Sequence, residues 1–348
     1  VDTGVMDEPT LRAWMTESVK PATHHDTLPG RWVAESSLPS PTITPRRFSL
    51  TDSGLQEASA PLTARTVCSP QTLGKSSGEW VPFGRGRDQA ADQQEDDARS
   101  LTFETPPLDA PIEILGAPIV TLDVASDKPL ANLVVRLCDV HPTGESLRVS
   151  YGVLNLTHRE DHEKPSLLKV GERYRVSIQL NDAGSAFPAG HRIRLAISTT
   201  YWPMIWPPPE TATLQIFDGT LDLPQRPPNA ADAKLAPFLE PETAAPEKPT
   251  ITHRDGMRIE RIERLGLELG TQWDTKYHIE ENDPLSAVAE LRQVQTLTRN
   301  EWQVRVETEM RLSSTRDAFL LKGGLRAFEG ENEVCRRDWD RSIPRDFA

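Results

Sequence analysis

Residues 133–156 read LVVRLCDVHPTGESLRVSYGVLNL, and this stretch decides the fold class. Leu133, Val135 and Leu137 fall on one face of an extended chain, the two-residue period of a half-buried strand. Pro142-Thr143-Gly144 supplies the turn, and Leu147 to Leu156 resumes the alternation. The same pattern extends outward in both directions. Upstream, Ile112 to Val124 is apolar and β-branched, with Gly116 and Pro118 marking a kink or a break. Downstream, Tyr174, Val176 and Ile178 share one face, as do Ile193, Leu195 and Ile197. Short strands at this spacing, with almost no 3.6-residue period, predict an all-β chain built as a β-sandwich or jelly roll.

Composition agrees. Of the 348 residues, 30 are proline, above the usual share of about 5%. They sit between the apolar runs, as in Pro207-Pro208-Pro209, where they end strands without entering a ladder. A sandwich over 41–223 is followed by a Pro/Ala/Glu-rich linker or strap at 224–249. Beyond it, 250–348 changes character. Trp302, Val304 and Val306 face one way, Arg305 and Glu307 the other, and Phe319, Leu321, Leu325 and Ala327 continue the apolar side. This region reads as a smaller antiparallel β domain, with a bulge or bend at Gly323-Gly324.

The net charge of -13 argues against a nucleic-acid partner, which needs a basic face. Nothing approaches the ~18 apolar residues of a membrane span. Val1 to Glu8 lacks the pattern of a signal peptide, and the missing Met suggests a trimmed or excised segment. Cys68, Cys138 and Cys335 are too scattered for a disulfide framework or a zinc site. A reducing, cytoplasmic setting is the expectation.

The chain is read as lacking a G-x-S-x-G elbow, the strand-to-helix turn that exposes a nucleophilic serine. Ser166-Leu167-Leu168-Lys169 fits S-x-x-K but follows Pro165 in a loop, so no catalytic residue is assigned. His158 and His162, four apart, would share a metal only on a helix; here they read as a solvated hairpin tip. Asp88, Asp92, Asp96 and Asp97 do not follow calcium-loop spacing and read as an acidic solvated loop. No metal and no cofactor are expected. His191 reads as a hydrogen-bonded structural group on a strand. Gln71 to Arg99 is a long polar loop whose Leu73, Trp80 and Phe83 could face a pocket. The run from Tyr201 to Trp206 offers Trp202 and Trp206 to a pocket, or plugs one end of the sandwich.

These segments together resemble a known family. Ser100-Leu101-Thr102-Phe103, Pro107-Leu108 and Ile114-Leu115-Gly116-Ala117-Pro118 are similar to the start of the C-terminal domain of CocE/NonD hydrolases, the cocaine esterase and X-Pro dipeptidyl-peptidase family. The likeness continues through Val135 to Val140, Pro142-Thr143-Gly144, Gly152 to Leu156, Pro188 to Leu195 and Ser198 to Trp206. The opening, with Leu11-Arg12-Ala13-Trp14-Met15, resembles the link from a hydrolase domain; the tail, with Asp283-Pro284-Leu285 and Trp339-Asp340, resembles the extension of longer members.

The resemblance implies a galactose-binding-like jelly roll attached to an α/β-hydrolase domain whose Ser-His-Asp triad precedes this region. Residues 1–40 would then be the connector and first strand. No position here matches the triad, so the chain is expected to be an accessory module that supports and partly roofs an active site elsewhere. Its partner would be the hydrolase domain of the same parent, with homo-oligomerisation left open. Two other readings stand beside it: a free-standing carbohydrate-binding jelly roll stacking sugar on Trp202 and Trp206, and a structural or oligomerisation module.

Overall fold

The alternating runs become strands in the computed structural model, which describes residues 5–80, 88–235 and 249–348. Two compact units form: Val1–Pro237 with Phe347–Ala348, and Phe238–Asp346.

Fourteen described strands belong to the first unit. In chain order they are β1 (Leu11–Thr16), β2 (Gly30–Glu35), β3 (Thr44–Thr51), β4 (Gly54–Gln56), β5 (Arg65–Val67), β6 (Leu101–Glu104), β7 (Ile112–Gly116), β8 (Ile119–Ser126), β9 (Asn132–Val140), β10 (Ser146–Asn155), β11 (Tyr174–Gln179), β12 (Ala183–Phe187), β13 (Arg192–Ser198) and β14 (Leu214–Gln225). Ten of them make one sheet, ordered β11-β8-β14-β7-β12-β1-β2, with β3 and β5 also on β14 and β4 on β3. The other four make a second sheet, β10-β9-β13-β6. Pairing is antiparallel except where β1 meets β12. The break expected at Gly116–Pro118 is the corner between β7 and β8, and Gly116 takes a φ of 120° there.

The core holds the inward residues of both sheets: Val120, Leu122 and Val124 of β8, Leu133, Val135 and Leu137 of β9, Ile193, Leu195 and Ile197 of β13, and Leu214, Ile216, Leu221 and Leu223 of β14. Burying each such side chain contributes about 1.5–3 kcal/mol, so this layer dominates the unit's stability. Residues 1–40 contribute more than a connector and one strand. β1 and β2 pair along their whole length, from Leu11↔Glu35 to Thr16↔Gly30, and extend the larger sheet. The expected linker also starts later than residue 224. Pro224 and Gln225 still pair with β3, and Arg226 is 1% exposed because Glu35 and Asp232 neutralise it at 2.6 and 2.8 Å. Residues 236–248 of that stretch lie outside the described residues.

The second unit is a meander: β15 (Thr250–Arg254), β16 (Met257–Ile262), β17 (Leu267–Glu280), β18 (Asp283–Arg299), β19 (Trp302–Ser314), β20 (Ala318–Glu329) and β21 (Asn332–Pro344), each beside the next. Asp255-Gly256, both at positive φ, makes the first hairpin turn. The bulge expected at Gly323-Gly324 is absent. β20 keeps register through both glycines and shifts at Ala327/Phe328 instead. Beside Gly323 lies the Trp339 ring, at ordinary contact distance, 3.6 Å, from where a Cβ would be.

Candidate functional site

β9 is buried on both faces, which a sandwich strand with one face to water would not be. Its outward residues Val134, Arg136 and Cys138 are covered by the segment between β5 and β6 and by the aromatic run after β13. Leu73, Val134 and Tyr201 form a small apolar cluster there. Around it runs a buried polar network. Asp97 pairs with Arg136 at 3.1 Å and Arg194 at 2.7 Å and accepts from Ser146 at 2.7 Å. Gln93 accepts from Arg136 at 3.0 Å and from the Tyr201 hydroxyl at 3.2 Å, while Arg148 donates to that hydroxyl at 2.7 Å. Asp96 accepts the backbone N–H groups of Gly74 at 3.0 Å and Ser76 at 3.3 Å.

The acidic segment is therefore not a solvated loop. Asp88, Asp96 and Asp97 are at most 5% exposed, and Asp96 and Asp97 end the short helix α1 (Gln94–Asp97). Their burial is tolerable because backbone donors and arginines replace water. The surroundings shift neighbouring groups in consistent directions. Burial, helped by the Asp97 charge, pushes the Cys138 thiol up to about 12, leaving it inert at neutral pH. Burial opposes the charge on Arg194, yet hydrogen bonds and charge from Asp97 and Glu104 outweigh it and raise its pKa. Burial also raises Tyr201, which stays a neutral donor.

The pocket-facing residues expected from sequence are placed differently from one another. Leu73 is fully buried in the cluster. Trp80 is 55% exposed, its ring edge-on to Tyr151 at 5.9 Å. Phe83 lies outside the described residues. Trp202 is buried and Trp206 half-buried, their rings T-shaped at 5.3 Å. Arg148 lies over the Tyr151 ring at 4.5 Å, so Trp80, Tyr151, Arg148 and the buried Tyr201 form one connected cluster on the outer side of the smaller sheet, with Trp80 its exposed member.

One string escaped the sequence reading. Gly74-Lys75-Ser76-Ser77-Gly78 does fit G-x-S-x-G letter for letter. Its first three residues lie in a turn and its last two in irregular chain, not between a strand and a helix, and among the described residues Ser76 makes no hydrogen bond to a histidine. It therefore lacks the geometry of an elbow.

A serine, two histidines and a carboxylate do meet at one end of the sandwich: Asp139 from the end of β9, and Ser18, His141 and His191 from the chain flanking β1, β9 and β13. Ser18 donates to Asp139 at 2.5 Å, and His191 Nδ1 lies 2.9 Å from the same carboxylate, as a structural histidine should. His141 Nε2 lies 3.1 Å from both the Val19 carbonyl and Ser18 Oγ. A carbonyl only accepts, so Nε2 carries the proton and is no base for Ser18. The serine's own proton goes to Asp139. The cluster joins the loop after β1 to the ends of β9 and β13, with no histidine placed to take the Ser18 proton. Asp139, His141 and His191 also bring ligand atoms within 4.8 Å of one another, whereas His158 and His162 only place their rings 5.5 Å apart. A concavity of about 500 Å³ lies between β4 and β6, where Asp52 pairs with Arg65 at 3.2 Å and Glu104 with Arg194 at 2.6 Å.

Comparison with known proteins adds the following. Residues 3–258 match the model of the X-Pro dipeptidyl-peptidase C-terminal non-catalytic domain. Cocaine esterase of Rhodococcus sp. (strain MB1 Bresler) is 30% identical over 130 residues, covering 37% of this chain and 23% of that relative. Among solved structures, an alpha-amino acid ester hydrolase is 22% identical, with a TM-score of 0.49 over 56% of this chain and 39% of its own. A CocE/NonD family hydrolase from Staphylococcus aureus is 16% identical, with a TM-score of 0.46 over 63% of this chain and 42% of its own. The chain thus spans well under half of the length of each. No helix among the described residues is long and apolar enough to cross a membrane.

Proposed function

The chain belongs to the X-Pro dipeptidyl-peptidase C-terminal non-catalytic domain family, and from that premise we propose that it is the accessory β-sandwich part of a larger serine hydrolase. The larger protein would carry out acyl transfer, as an esterase, amidase or X-Pro dipeptidyl-peptidase, on an α/β-hydrolase domain. This chain would support that domain and partly roof its active site.

The observation that carries the reading is Trp80. A large aromatic side chain is 55% exposed although Glu79 beside it donates its backbone N–H to the Asp88 carbonyl at 2.9 Å and its ring rests edge-on to Tyr151. Rigid backbone beneath an exposed aromatic is what a pocket wall or docking surface requires. The sugar-stacking alternative is less well supported, since Trp202 is buried and the two rings meet edge-to-face instead of presenting one flat platform. The coding sequence upstream of residue 1 tests the proposal. A frame running through a strand, a G-x-S-x-G and a helix supports it; a stop codon or an unrelated domain there would refute it.

A further inference from the structure

The second unit segregates its residues by face. Register places Trp273, Gln293, Thr308, Leu325 and Arg337 in one cross-strand row, Thr275, Leu291, Met310, Gly323 and Trp339 in the next, and Tyr277, Ala289, Leu312, Leu321 and Arg341 in a third. These rows share one face, because partners alternate in step along every strand. The opposite face carries charge pairs: Arg305 with Glu307 at 2.9 Å, Lys322 with Asp340 at 3.6 Å, and Arg311 with Glu290. On the apolar face Trp273 is 58% exposed, Tyr277 51%, Met310 40% and Trp339 41%, and Leu291, Leu312, Leu321 and Leu325 are half-buried.

Five strands ~4.8 Å apart and about 12 residues long give this face roughly 900 Å². Exposed apolar side chains grouped on one face, here interspersed with Gln293, Thr308, Thr275, Arg337 and Arg341, mark an interaction site, and a stable protein interface with its polar rim buries about 800 Å² per partner. The area therefore matches what one dimer contact needs.

We propose that this face pairs with the same face of a second copy, about a two-fold axis parallel to the strands at β19. That axis lays β17 of one copy over β21 of the other without shifting the rows. Trp273 then meets Arg337 of the second copy, and Tyr277 meets Arg341. Each is a guanidinium over an aromatic ring, made twice by symmetry. Met310, on the central strand, meets its own equivalent. Two sheets packed face to face keep their strands within about 30°, which preserves these pairings. The proposal does not depend on the hydrolase role.

Light scattering and sedimentation of the purified 348-residue chain test it. The expected mass is twice 38.8 kDa at tens of micromolar. Met310→Glu, which sets two carboxylates face to face, should give a monomer with an unchanged far-UV spectrum. Arg311→Ala, on the charged face, should leave the dimer intact. The pairing is tested at Trp273, where Trp273→Arg should weaken the dimer at least about tenfold more than Trp273→Glu, since only arginine repels Arg337. A monomeric wild type would overturn the proposal and assign the face to another occupant. So would a dimer that Met310→Glu leaves intact, and equal effects of the two Trp273 variants would overturn the axis.

Discussion

Arg136 is a charge in the middle of the apolar run Leu133–Val140, and the structure shows what it costs and what offsets it. Asp97 and Gln93 take the place of water around a side chain that is 0% exposed. Asp97→Asn, which removes the charge and leaves Arg136 and Arg194 buried, should cost about 3–5 kcal/mol in urea unfolding. A loss under 1 kcal/mol would mean that water enters the network. Trp80 should behave in the opposite way. With over half of its surface exposed, Trp80→Ala should cost well below the ~3–5 kcal/mol of a buried aromatic, and in the larger hydrolase it should lower kcat/KM for bulky acyl groups more than for acetyl. A large drop in Tm with unaltered selectivity would defeat the roofing role. Glu35 gives the chain an acid limit. Burial opposes its charge, but hydrogen bonds from Ser40 and Arg226 prevail and its pKa is lowered. A depressed carboxylate contributes stability above its unfolded pKa, and that stability is lost as pH falls through the folded value. Stability should therefore decline below about pH 4, and Glu35→Gln should flatten part of that decline. An identical acid profile for the variant would contradict this.

Among the elements, the covering segment between β5 and β6 is the one that sequence described least well. It is rich in Gly, Gln and Asp, and such composition reads as solvated loop when the arginines that answer it, Arg136 and Arg194, lie far along the chain from Asp97. The strands were legible because period-2 alternation is a local signal; the pairing of Asp97 with Arg136 and Arg194 is not local. Arg136 itself was the available clue, since a lone charge inside an apolar strand calls for a buried partner. The letter match at Gly74–Gly78 shows the converse: a motif without its strand and helix carries no chemistry. Gly74 serves the covering segment differently. Its φ is 115°, and a Cβ there would sit 2.3 Å from the Trp202 carbonyl. Gly74→Ala should cost about 1–3 kcal/mol through strain and should disturb the Leu73–Trp202 backbone contact. Unchanged melting with unchanged tryptophan fluorescence would show that the two segments are not held together there.

At the scale of the whole chain, two units divide the sequence much as its change of character near residue 250 suggests, one a filled sandwich and the other a long meander. The family match ends at residue 258 and covers the sandwich, so the meander's role must be argued from its own faces. The meander's amphipathic strands were readable from alternation, but its exposed apolar face was not, because sequence cannot show whether a second layer covers a sheet. For the sandwich the account makes one central claim: no nucleophile, base and oxyanion donors are assembled among the described residues. The direct test is hydrolysis of a nitrophenyl acetate by the purified chain, with and without a serine-directed fluorophosphonate. The account predicts no saturable turnover and no stoichiometric labelling of Ser18 or Ser76. Saturable turnover abolished by the inhibitor, with the label on either serine, would contradict it.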